Sequence, residues 1–195
     1  MKIVFIFFFL FICCCTASAQ TAFDSLLERA HLKFEVPENY TVVEPQFNRQ
    51  MNWEASYRHP EKKFEIRIAL RPMDVALAEY EHNMKTKEEG DIFIDPNKWY
   101  ESTLQATILN ISGGELPDYA VFGSEAVKQE FNADWGATVM VPTGEEFSFG
   151  YTYCLLVTIH KNNIGDAYVF YMLDDPEMVG QELDAVFHLL YFTEE

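Results

Sequence analysis

Asp134, Trp135, His160, Lys161 and Asp166 are the residues whose types and spacing can serve one another chemically. Tyr151 to His160 and Ala167 to Leu173 are rich in β-branched and aromatic residues. The polar Lys161-Asn-Asn-Ile-Gly-Asp166 between them marks a β-hairpin. A strand from Trp135 to Pro142 precedes it. Pairing Pro142 with Tyr151 across the loop from Thr143 to Gly150 sets Asp134 opposite Ile159 and Ala133 opposite His160. Asp134, His160, Lys161 and Asp166 then gather at one end of a sheet, with Trp135 beside them. Such a group holds a proton acceptor, an anion contact and an aromatic wall, which makes it a candidate ligand site. The plainer reading of the same residues is a salt-bridge set that pins two turns, and it takes precedence. No serine or threonine there sits in a nucleophile motif, so no catalytic residue is assigned.

Other constellations are weaker. Glu79-x-x-His82 has the spacing of a di-metal carboxylate motif, but that chemistry needs the pattern on two helices and here it occurs once. Asp184 and His188 lie four apart on a predicted helix and read as an exposed pair. The five histidines, at 31, 59, 82, 160 and 188, show no zinc spacing. No metal and no cofactor is therefore expected. Arg67 and Arg71 share one side of a predicted strand and can receive a carboxylate or phosphate. The preferred account pairs Glu65 with Arg58 on a neighbouring strand. Asn110-Ile-Ser112 matches a glycosylation acceptor, but its helical placement argues against use.

The elements that must position these groups follow from periodicity. Phe64, Ile66, Ile68 and Leu70 alternate with Lys63, Glu65, Arg67 and Arg71, which predicts a strand with one partly solvated face. Strands are also predicted over Leu32 to Pro37, Tyr40 to Val43 and Asn52 to Arg58. The second hairpin run, Ala167 to Leu173, is apolar on both parities, so both faces of that strand are covered. Helices are predicted over Ala22 to His31, then from Asp74 as cap to a stop at Gly90, with Met73, Leu77, Tyr80 and Met84 on one face. Another follows Asp95-Pro-Asn97, with a Tyr100, Leu104, Ile108, Ile111 stripe closed by Gly113-Gly114. Two successive helices cannot both be crossovers, so one lies at a sheet edge. Residues 115–133 read either as a helix over Ser124 to Phe131 or as a strand pair, Ala120 to Phe122 with Ala126 to Phe131. A terminal helix starts at Asp175-Pro-Glu-Met and buries Val179, Leu183, Val186 and Leu190.

Composition sets the class. Lys2, the apolar run Ile3 to Cys15 and Thr16-Ala-Ser-Ala19 form an export leader over residues 1–19. Leu10-Phe-Ile-Cys13 resembles a lipobox, but Ile12 stands where a small residue is wanted, so ordinary periplasmic or secreted export is preferred over lipid anchoring. About 176 residues from Gln20 make one domain. No later stretch is long enough to cross a membrane as a helix. Three of the four cysteines lie in the leader, leaving Cys154 as a buried small hydrophobe. The formal charge of -17 becomes -18 without Lys2, which disfavours nucleic acid and anionic lipid as partners.

Phe34-Glu-Val-Pro37-Glu-Asn-Tyr40, the two mid-chain helices and the closing β-β-α unit ending in Phe187-His-Leu-Leu-Tyr-Phe192 together resemble the PsbP-like fold superfamily. That superfamily includes lumenal photosystem proteins, a Ran-binding import factor and many exported bacterial proteins. Phe131-Asn-Ala-Asp-Trp-Gly136 and His160-Lys161 are also similar to small exported proteins of the Bacteroides group. The resemblance implies an α+β fold, an antiparallel sheet meander in an α/β/α sandwich, and a role in binding or assembly. It brings no catalytic motif to these residues. The expected function is an exported, non-catalytic binding module for an unknown protein or small-molecule partner. The alternative is a small periplasmic enzyme with its site around Asp134, His160 and Lys161.

Overall fold

The computed structural model describes residues 21–194; the export leader predicted over 1–19 lies outside them. Seven strands form one sheet in the order β2-β3-β4-β8-β7-β6-β5, with every neighbouring pair antiparallel. They are β2 (Thr41–Val43), β3 (Ala55–Arg58), β4 (Phe64–Pro72), β5 (Ala120–Val121), β6 (Trp135–Pro142), β7 (Tyr153–Lys161) and β8 (Gly165–Leu173). A separate ribbon pairs β1 (Leu32–Phe34) with β9 (Leu190–Phe192). The helices are α1 (21–29), α2 (Asp74–Thr86), α3 (Tyr100–Ser112), α4 (Ser124–Phe131), α5 (Glu145–Ser148) and α6 (Val179–Val186). The protein is thus an α+β sandwich around an antiparallel sheet.

The predicted hairpin is the middle of that sheet. β8 stands fourth of seven and is buried along all nine residues. Its odd positions, Ala167, Val169, Tyr171 and Leu173, join the core under α1, α4 and α6 through Phe23, Val127 and Val186. Its even positions, Tyr168, Phe170 and Met172, join Leu104, Ile108 and Ile111 of α3, Phe147 of α5 and Trp53. Each large apolar side chain so buried contributes about 1.5–3 kcal/mol of transfer free energy, and two such cores hold the described residues together, with their one cysteine, Cys154, as a free buried thiol.

β6 and β7 pair two residues away from the predicted register. Pro142 meets Tyr153, and Trp135 rather than Ala133 lies opposite His160. The ladder runs on to a Thr143 N–H bond to the Thr152 carbonyl at 2.9 Å before the chain coils through α5. A slip of two residues keeps every side chain on its own face, so the hydrophobic pattern cannot distinguish the two registers.

Three further expectations change, and the open choice over residues 115–133 is decided. The polar face of β4 is covered: Glu65 and Arg67 are both buried. Ser124–Phe131 is a helix, not a strand, because Val127 and Phe131, four apart, both turn inward. It rests closely on β6, where a Cβ on Gly136 would stand 2.9 Å from Phe122 and Val127 side-chain atoms. The terminal helix ends at Val186, and Leu190 belongs to β9, where Leu190 and Phe192 are buried on either side of half-buried Tyr191. Alternation, not a helical stripe, governs those last residues. Asp74 does not cap α2; it is the helix's first residue and pairs with Arg29 at 2.7 Å, and α2 stops at Thr86, short of Gly90. Gly113, left-handed at φ 80°, ends α3 as expected.

Candidate functional site

β7 carries His160 on the α3 side of the sheet, where it is 1 % exposed. Its Nδ1 lies 2.7 Å from Asp166 Oδ1, directly across the β7–β8 pairing. Its Nε2 faces Asn162 Oδ1 at 3.3 Å. Tyr100, the first residue of α3, stacks on the imidazole at 4.5 Å and meets Trp135 at 4.6 Å. Asp134 closes the group: its Oδ2 accepts from the backbone N–H of Asn162 at 2.9 Å and from the Asn162 side-chain amide at 3.0 Å. Asp134, Trp135, His160 and Asp166 therefore come together, linked by Asn162 and Tyr100. Lys161 does not join them. It points to the opposite face, 5.7 Å above the Phe192 ring and 3.4 Å from the Thr193 carbonyl.

This arrangement braces the hairpin. His160 is buried beneath Tyr100, with Nδ1 against Asp166 and Nε2 facing Asn162 Oδ1 of the same hairpin. Asn162 could be read as a partner from the turn sequence. Tyr100, sixty residues away in the chain, carries no local signal.

A second polar centre lies under the sheet's other half. Arg67 is 1 % exposed. Its Nε donates to Glu65 Oε1 at 2.7 Å and its Nη1 to the Phe147 carbonyl at 2.8 Å. The guanidinium sits 4.5 Å from the Trp53 ring centroid, with Phe147 and Phe149 at 5.2 and 5.3 Å. Glu65 Oε2 takes two bonds from Arg58, at 2.7 and 3.0 Å, as the cross-strand pairing predicts. Burial pushes the Glu65 carboxyl up, but the hydrogen bonds and charges of Arg67 and Arg58 outweigh it and hold the group below the usual carboxylate range. Arg71, the other strand guanidinium, pairs with Glu54 at 2.9 Å.

The third feature is apolar and external. α3 buries Leu104, Ile108 and Ile111, whereas α2 buries none of its residues. α2 is the more exposed of the two mid-chain helices. Beside it the segment from Asp91 to Trp99 leaves Ile92 86 % exposed and Ile94 61 % exposed. Between them runs a groove of about 330 Å³ lined by Ala76, Tyr80, Ile92, Phe93, Ile94 and Trp99 among others.

Glu79 and His82 both lie along α2's outer surface. His188 pairs with Glu130 at 3.3 Å rather than with Asp184. Among the described residues no three His, Cys, Asp or Glu side chains converge on a common point. None of the described helices is long and apolar enough to cross a membrane. Comparison with protein-family models and with curated proteins finds no match to this chain.

Proposed function

We propose that this chain is an exported, non-catalytic binding or assembly module. Its docking surface is α2 with the segment from Asp91 to Trp99, and its partner presents apolar side chains flanked by lysine or arginine. One observation carries this reading: a thirteen-residue helix that buries none of its residues, beside exposed Ile92, Ile94 and Trp99. Contiguous apolar surface of this kind marks an interaction site. The partner's charge follows from the surroundings, since residues 74–99 hold seven carboxylates against three lysines. Lys2, the apolar run from Ile3 to Cys15 and Thr16-Ala-Ser-Ala19 support export. Helical layers on both faces of an antiparallel sheet support the PsbP-like reading, in which binding or assembly is the usual role. The enzyme alternative has less support, because His160 is buried and Lys161 lies across the sheet.

The test uses Ile92→Asp/Ile94→Asp, a change at exposed positions that leaves stability within about 0.5 kcal/mol. Wild type and variant are used as bait against the native exported fraction, with an amphipathic leucine–lysine peptide as competitor. The reading expects a captured protein that is lost with the variant, displaced by the peptide and weakened by salt. Identical capture by both baits overturns it.

A further inference from the structure

Beside Arg67 lies a cavity of about 150 Å³, walled by Trp53, Ser56, Arg58, Glu65 and Phe149, with Val43, Glu44 and Gln46 completing its lining. Two buried polar atoms of its wall residues, Ser56 Oγ and Trp53 Nε1, have no hydrogen-bond partner among the described residues. Ser56 is 1 % and Trp53 5 % exposed. A buried hydroxyl or indole N–H left unpaired is costly, and a native structure keeps one only where something completes it.

The chemistry of the walls states what that something is. Strand pairing places Ser56 opposite Arg67 and Arg58 opposite Glu65, so a hydroxyl and two guanidiniums share one face. Both Glu65 oxygens are already taken, one by Arg67 and the other by Arg58. The groups left over can all donate: the indole N–H and the remaining N–H groups of half-exposed Arg58, which only donate, and the serine hydroxyl, which can also accept. Arg67 and Glu65 balance each other in the interior, and half-exposed Arg58 leaves one positive charge at the cavity's edge, while exposed Glu44 at the lining opposes a multivalent anion. Trp53 and Phe149 supply flat apolar walls.

We propose that this cavity binds a small monocarboxylate whose oxygens accept hydrogen bonds from Trp53 Nε1–H and Ser56 Oγ–H, with Arg58 supplying the attracting charge. The site is separate from the α2 docking surface, and either can fail without the other. An ordered water cluster is the competing occupant.

The probes are sodium acetate, propionate and benzoate, with benzamide as the neutral counterpart and sodium chloride at matched ionic strength. The readout is the Trp53 indole N–H resonance, assigned with Trp53→Phe. A saturable shift with at least one acid is expected, weakened at least tenfold in Arg58→Met and for benzamide, and weakened also in Ser56→Ala. Thermal melts confirm that these variants fold, and Ile92→Asp/Ile94→Asp binds the acid as wild type does. A resonance that does not saturate with any acid up to tens of millimolar shows a cavity filled by water only and overturns the proposal. Benzamide binding as tightly as benzoate overturns the charge assignment.

Discussion

Replacing Arg67 with methionine tests the polar centre beneath β4 most directly. Methionine approximates the volume of the arginine stem, so the main effect is loss of charge rather than a void. Glu65, whose side chain is 4 % exposed, then keeps only the partly exposed Arg58 as a charged partner. Breaking a buried pair by removing one member costs about 3–5 kcal/mol, because the other charge stays buried and under-compensated. The Phe147 carbonyl also loses its donor. Taking about 4 kcal/mol against a total of roughly 5–15, and about 2–4 °C per kcal/mol for a domain of this size, Tm should fall by about 8–16 °C. Thermal melts followed by far-UV circular dichroism measure the Tm, and urea unfolding measures the free-energy loss. The companion double variant Arg67→Met/Glu65→Gln should cost less than the sum of its two single changes by at least about 1 kcal/mol, since the orphaned charge is gone. A loss below about 1 kcal/mol for Arg67→Met, or additivity within about 0.5 kcal/mol, would refute the reasoning.

Two other outcomes follow from named groups. Glu65 has a folded pKa held below its unfolded value, so its stabilisation is complete above about pH 4.3 and fades as pH falls through the folded pKa. The gap in urea midpoint between wild type and Glu65→Gln should therefore shrink below about pH 4.3, and a gap unchanged down to about pH 3 contradicts the depressed carboxyl. In the terminal strand, Phe192→Ala should cost about 3–4 kcal/mol, because the ring is buried in the core, while Tyr191→Ala costs far less. Equal costs would argue against β9.

Much of the sheet was legible because its strands obey a period of two. Phe64, Ile66, Ile68 and Leu70 alternate, and Ala167 to Leu173 is apolar on both parities, so β4 and the centre of the sheet could be read directly. The register of β6 on β7 could not, because a turn of helix at Glu145–Ser148 absorbs residues that a plain loop would not. Face assignments survived that error, which is why His160 and Trp135 still met. Lys161 leaves the group for a separate reason: adjacent strand residues face opposite sides, and sharing a strand end does not mean sharing a site. The burial of Glu65 and Arg67 is hidden because Trp53, in step with Ala55 and Tyr57 in sequence, packs on the opposite face of the sheet from them, and Phe147 comes from the short α5. Leu190 fitted a helical stripe from Val179 and an alternating strand equally well, and only pairing with Leu32–Phe34 decides between them.

The sheet's two margins have a consequence for how copies of this molecule behave at high concentration. β2 at one margin has three residues and β5 at the other has two. Neither offers an incoming strand the long, flat ladder that end-to-end polymerisation needs, although the middle of the layer is highly apolar. The fold gains from this, because its most apolar strands, β7 and β8, lie between brief borders rather than at an open margin.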